Sequence, residues 1–165
     1  MARTLFRFDE SGSVQGWAPI DDRVMGGVSH SRLRHADDGH AVFEGVVSLQ
    51  NNGGFASVRS AAGPLGLAQA QACVIDAQGD GRQYKLNLFT GDAFDAMSYQ
   101  AIFTAATGGW HSTRLPLAEF TPRFRGRQVT GAPPLDPARI RQVGLMTSGG
   151  QPGAFALCIR SIELV

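Results

Sequence analysis

The 165-residue sequence predicts an all-β sandwich built as a single domain, residues 1–165. Three observations carry that expectation. Short apolar stretches alternate with polar residues at period two, Gly-, Asn- and Asp-rich turns separate them at regular spacing, and no stretch sustains a helical period. The length is enough for a hydrophobic core without metal or disulfide staples.

Leu5 to Phe8 reads as a first strand, followed by a Ser-Gly turn, and Trp17 leads into Pro19-Ile20. His30 to His35 alternates weakly and stops at Asp37-Asp38-Gly39. His40 to Leu49 alternates better, with Phe43, Val47 and Leu49 on one face and Glu44 and Ser48 on the other. Phe55 to Arg59 is a further strand, and Ala61 to Ala72 a loop with at most one helical turn. Cys73 to Ala77 and Arg82 to Thr90 flank Gln78-Gly-Asp-Gly81, which predicts a hairpin. In its second arm Tyr84, Leu86 and Leu88 share one face, opposed by Lys85 and Asn87. Ser98 to Thr104 sets Tyr99, Ala101 and Phe103 against Gln100 and Ile102. Trp110 to Leu117 is a strand that Pro116 ends or places at an edge. Phe120 to Pro134 has no period and predicts a long loop, while Asp136-Pro137-Ala138 predicts one helical turn with Asp136 as cap. Val143 to Thr147 and Phe155 to Val165 close the fold. The last changes phase between Ile159 and Ile162, so a bulge is expected near Arg160-Ser161.

Two stretches organise the candidate sites: Asp21-Asp-Arg-Val-Met-Gly-Gly-Val-Ser29 and Asn51-Asn-Gly-Gly-Phe-Ala-Ser-Val-Arg59. Paired glycines here imply positive φ or a neighbouring segment too close for a Cβ. In the first, Asp21, Asp22 and Arg23 form a charged platform beside the open amides of Gly26 and Gly27, or else a local salt bridge that fixes the turn. In the second, Asn51 and Asn52 offer amides that both donate and accept, with Arg59 downstream. A third candidate is Arg123, Arg125 and Arg127, interleaved with Phe124, which suits an acidic partner or a phosphate unless Asp80, Asp92 or Asp95 pairs with them.

Formal net charge is +1, and Lys85 is the only lysine, so bulk charge points to neither nucleic acid nor a membrane surface. No apolar run approaches a membrane span of roughly 20 residues, and the N-terminus lacks an apolar signal core. Cys73 and Cys158 sit in apolar runs, as two buried thiols in a reducing compartment would. His30, His35, His40 and His111 lack ligand spacing for a metal, and no cofactor motif is present. A nucleophile elbow and convergent carboxylates are also missing, so an enzyme is not expected.

The same stretches, with Gly79-Asp-Gly-Arg-Gln-Tyr84, Trp110 to Phe120, Phe124-Arg-Gly-Arg127, Pro134-Leu-Asp-Pro137 and Ile140-Arg-Gln-Val-Gly-Leu145, resemble the complex I intermediate-associated protein 30 family over nearly the whole chain. The resemblance implies a galactose-binding-like jelly roll related to carbohydrate-binding modules. It also implies an assembly factor for respiratory NADH:ubiquinone oxidoreductase, acting by binding a protein partner rather than by catalysis. Mitochondrial members carry an N-terminal extension; its absence here looks like a bacterial, cytoplasmic member. Two surfaces follow as expectations. A protein partner would meet the two glycine corners and the Arg123–Arg127 loop. Alternatively, a carbohydrate or small ligand would stack on Trp17, Trp110 or Tyr84, with Asp22, Asn51 and Asn52 as polar contacts.

Overall fold

The computed structural model describes residues 2–21, 27–52, 54–91, 97–124 and 126–165. The strands are β1 (Arg3–Arg7), β2 (Ala18–Pro19), β3 (His30–Ala36), β4 (His40–Val47), β5 (Ser57–Arg59), β6 (Ala72–Gln78), β7 (Gln83–Phe89), β8 (Ser98–Thr104), β9 (His111–Pro116), β10 (Thr121–Phe124), β11 (Arg127–Gln128), β12 (Gln142–Thr147) and β13 (Gly153–Leu164). They form two antiparallel sheets. The six-stranded sheet runs β3-β4-β13-β6-β9, and β1 continues the β4 edge of β13 through Arg3↔Leu164 to Arg7↔Ser161. The seven-stranded sheet runs β11-β10-β8-β7-β12-β5-β2.

Period-two alternation decides what lies between the sheets. Phe43, Ile75, Leu157, Ile159 and Ile162 come from the six-stranded sheet and Val58, Tyr84, Leu86, Leu88 and Leu145 from the other, all fully buried. Phe43 and Phe155 meet edge to face at 4.9 Å, and Tyr84 stacks behind them at 6.1 and 6.2 Å. Aromatic contacts therefore knit the two layers at mid-sandwich. The phase change in β13 is absorbed where expected: pairing with β6 slips between Ile159 and Ser161, so Ile162 and Leu164 still face inward. Asp136 caps the turn Pro137–Arg139, accepting from the Ala138 amide at 3.0 Å.

Four expectations are corrected. β6 and β7 are not a hairpin, because β6 lies in one sheet and β7 in the other. The Gly79–Gly81 turn is a crossing between layers. A Cβ at Gly79 would overlap Ala105, so only glycine lets the two segments pass. Asp80 holds the crossing: its carboxylate accepts from the Arg82 amide (3.0 Å), the Tyr84 hydroxyl (2.8 Å) and the Ala156 amide (3.0 Å). Second, the Phe120–Pro134 stretch contains the small ribbon β10–β11, with Arg123↔Gln128 and Phe124↔Arg127, turned at Gly126 with φ +80°. Two-residue pairing is too short to leave a period. Third, Leu49 lies beyond β4 and is exposed, not in line with Phe43 and Val47. Fourth, Cys73 is buried but Cys158 is only half-buried, on the outward side of β13.

Candidate functional site

The two glycine-rich stretches are joined through Asp21 of the first and Ser57 of the second. Asp21, expected on a charged platform, is buried, and its carboxylate accepts from the Ser57 amide (2.9 Å), the Ser31 hydroxyl (2.6 Å) and the Ser31 amide (3.1 Å). Ser31 belongs to β3 and Ser57 to β5, so Asp21 ties one sheet to the other. Within the six-stranded sheet, the Ser29 hydroxyl accepts from the Ser48 amide at 2.9 Å, joining the start of β3 to the end of β4. Gly27 is buried, and Asn51 is exposed in a left-handed conformation, φ +56°, with Gly54 at φ +141°. Asp22, Arg23, Gly26 and Arg125 lie outside the described residues, as do Asp92, Asp95 and the side chain of Asn52.

Of the aromatic stacking candidates, Tyr84 lies in the core and the two tryptophans do not. Tyr84 is fully buried, and burial and its bond to Asp80 push its hydroxyl above the usual tyrosine range. Trp17 packs edge-on against Phe6 and Phe8, and Trp110 lies between His40 and the Arg160 guanidinium, 4.0 Å from its ring centroid. Both tryptophans are half-buried.

What the structure does assemble is the outer face of the seven-stranded sheet. Because Tyr84, Leu86 and Leu88 face the core, Lys85, Asn87 and Phe89 face out, beside Ser98, Gln100 and Ile102 of β8. Registry aligns one row across five strands: Arg59, Gly144, Asn87, Gln100 and Thr121. Gly144 leaves the row open at its middle, since a Cβ there would press on Phe89, Asn87 and Arg59 at 3.3–3.5 Å. Arg59 lies over the Phe89 ring, 4.4 Å from its centroid. Arg123, across from Ser98, flanks the row on one side and Lys85 flanks it on the other.

Two features mark this face, the first shared with His35 Nε2 on β3 and Trp17 Nε1, which are also buried without a partner. The side-chain oxygens Asn87 Oδ1 and Gln100 Oε1 are buried without a hydrogen-bond partner, although Asn87 is only 5% exposed. Their nitrogens are engaged, Gln100 Nε2 donating to Ser98 Oγ at 3.3 Å and Asn87 Nδ2 touching Met146 Sδ at 3.8 Å. Buried acceptors left open cost free energy and call for an explanation. The second feature is charge. None of the seven strands contains Asp or Glu. Burial, and then the Arg123 charge, hold the Lys85 ammonium below the usual lysine range.

Of the sequence candidates, Arg59 and Arg123 belong to this face, and Arg127 is exposed on the neighbouring edge strand β11. Lys85, Asn87 and Gln100 were not singled out from the sequence. The signal was present: two adjacent alternating segments whose polar faces hold a lone lysine and two amides and no acid. Elsewhere, an open depression of about 490 Å³ on the six-stranded sheet is lined by His30, Arg32, Glu44, Val46 and Ala154. Its charges are already paired, Arg32 and Arg34 both reaching Glu44 Oε2 at 2.7 and 2.9 Å. Among the described residues no cluster of three His, Cys, Asp or Glu side chains is placed to hold a metal ion.

Comparison with known proteins agrees with this architecture. The family 11 carbohydrate-binding module of a cellulosomal cellulase of Clostridium thermocellum superposes with a TM-score of 0.72 at 15% identity, covering 100% of this chain and 94% of the module. The agarase AgWH50C superposes with a TM-score of 0.63 at 14% identity, over 99% of this chain and 24% of that enzyme. At such identities the likeness establishes the fold, a galactose-binding-like β-sandwich. An uncharacterized protein of Schizosaccharomyces pombe is 29% identical over 181 residues, spanning 98% of this chain and 83% of that protein. The family model described as Complex I intermediate-associated protein 30 (CIA30) matches residues 6–159. The chain belongs to the CIA30 family.

Proposed function

We propose that this protein is a non-enzymatic, cytoplasmic binding protein that holds an assembly intermediate of respiratory NADH:ubiquinone oxidoreductase, and that it does so with the outer face of its seven-stranded sheet. Membership of a family described by association with a complex I intermediate supports the partner. The observation that carries the surface is the acid-free set of strands that bring Arg59, Asn87 and Gln100 together between Lys85 and Arg123. Ile102, 55% exposed, and Met146 border that row and add the apolar contact area that protein interfaces use. Arg127 extends the surface along β11. Two unpaired thiols, Cys73 and Cys158, suit a reducing compartment.

A carbohydrate-binding role is the alternative, since one structural neighbour was solved with a β-1,3-1,4-mixed-linked tetrasaccharide. Sugar rings are ordinarily gripped by an aromatic face. Here Phe89 carries the Arg59 guanidinium, and Tyr84 and Tyr99 point into the core. The protein reading is therefore preferred. A tagged pull-down from native cells tests it: the parent protein should bring down complex I subunits, and a Lys85→Met/Arg123→Ala variant far less. Recovery of no subunit, together with calorimetric binding of the tetrasaccharide, would replace the assembly reading with the carbohydrate one.

A further inference from the structure

We propose that two copies of this chain pair through β9, antiparallel about a two-fold axis at Thr113, so that their six-stranded sheets join into one continuous sheet. The contact uses an edge of the six-stranded sheet and none of the residues on the outer face of the seven-stranded sheet. It therefore goes beyond the partner-binding reading and stands independently of it.

A terminal strand exposes a row of N–H and C=O groups that recruits another strand unless something blunts it. The seven-stranded sheet ends in strands of 2 residues each, β2 with Pro19 and β11. At one end of the other sheet, β3 has its Ser31 amide taken by Asp21 and the turn Ser11–Val14 beside it. At the opposite end, β9 runs for 6 residues. Hydrogen-bond parity identifies its open groups. Ala72 exchanges backbone bonds with Val165 at 3.1 and 2.9 Å, and the Leu117 amide donates to the Gln71 carbonyl at 2.9 Å. Alternating from there, Cys73, Ile75 and Ala77 bond to Leu115, Thr113 and His111. Ser112 and Arg114 therefore turn their N–H and C=O groups away from β6, and among the described residues no hydrogen bond engages them.

A second copy is the occupant this edge fits. In an antiparallel pair centred on Thr113, Ser112 of each copy stands opposite Arg114 of the other. Both positions have outward groups, so each such pair exchanges both backbone hydrogen bonds. The half-buried Thr113 side chains meet at the axis as a favourable cross-strand pair. Charge matches as well. Ser112 is paired with Asp76 on its own sheet, so Arg114 of the second copy reaches over a small side chain toward that carboxylate. Among the described residues Arg114 has no ion-pair partner, and Asp76 has only the long 3.9 Å contact with Arg160. The two-fold axis repeats the Arg114–Asp76 pairing on its other side.

The test uses the full chain. In sedimentation across a dilution series from about 500 to about 5 µM, the parent should pass from dimer to monomer. In the ¹⁵N-labelled protein, the Ser112 and Arg114 amides should exchange slowly with solvent when concentrated and fast when dilute. Ser112→Pro removes an edge donor and should be monomeric throughout the series. Arg114→Glu sets a carboxylate against Asp76 of the other copy and should weaken the dimer on the order of tenfold. Each variant is checked for the parent's folded spectrum, and the surface change Arg114→Glu decides the matter should Ser112→Pro fail to fold. A parent that stays monomeric across the series would overturn the proposal. So would a dimer whose Ser112 and Arg114 amides exchange fast at high concentration, or one that folded Arg114→Glu forms with unchanged affinity.

Discussion

On the outer side of the six-stranded sheet, Glu44 sits between Arg32 and Arg34, and Asp76 lies beside Arg160, whose guanidinium also covers the Trp110 ring. Across the sandwich, the strands of the seven-stranded sheet contain no Asp or Glu, Lys85 and Arg123 come to the outer face with no ion pair among the described residues, and two amide oxygens are buried without a partner. Both faces are built from the same alternating pattern, so neither fold nor composition explains the contrast. A sheet whose only task is to close a core is free to neutralise its outer charges locally, as the first does. Unpaired charge and buried open acceptors lower stability, and they persist where another molecule completes them.

That contrast can be broken or sharpened by substitution. The largest effect is expected at the tie between the sheets: Asp21→Ala leaves the buried Ser57 amide unpaired and should cost about 3 kcal/mol, lowering Tm by about 6–12 °C in calorimetry. A much smaller loss would mean that the corners hold together without it. Next comes Asn87→Leu, which removes an open acceptor and should raise Tm by about 2–4 °C while weakening partner recovery. Destabilisation there would show that the oxygen is satisfied and the face ordinary.

Lys85→Met should raise Tm by about 1–2 °C at neutral pH. Because burial and Arg123 lower the folded pKa of Lys85, the unfolded chain binds more protons as pH approaches 10.5 from below, so parent stability should rise with pH in that window. The Met variant should lose that rise. The smallest effect belongs to the paired face: Glu44→Gln should cost about 0.5 kcal/mol. Burial raises the Glu44 pKa, but the bonds from Arg34 and Arg32 outweigh it and leave it lowered. Its stabilisation is therefore present above pH 4.5 and is lost as pH falls through the folded value, which an acid titration of parent against variant will read. Removing a charge thus stabilises one face and destabilises the other.

The fold was legible wherever alternation was long. The core faces of β7, β8 and β13, the Asp136 cap and the bulge beyond Ile159 all follow from local pattern, because side-chain period and backbone phase are local properties. Sheet membership is not local. Gln78-Gly-Asp-Gly81 has the composition of a hairpin turn, and only the packing of Gly79 on Ala105 and the reach of Asp80 to Ala156 make it a crossing. The candidate site suffered in the same way. Arg59 and Arg123, 64 positions apart in sequence, were singled out in separate clusters, and strand order alone brings them to one face, Arg59 at an end of the row and Arg123 beside it. Asp21 looked like surface chemistry because its partners, Ser31 and Ser57, are serines that no motif distinguishes.

The position of β13 has a consequence for how the chain is made. Residues 153–164 lie in the interior of the six-stranded sheet and pair with β1, β4 and β6. During synthesis β1, β4 and β6 leave the ribosome with the slot between them empty, and at roughly 5–20 residues per second the wait from β1 to β13 is about 7–30 s. Throughout that interval the inward faces of Phe43 and Ile75 have no central strand to pack beside. The six-stranded sheet therefore stays incomplete until the end of the chain is made.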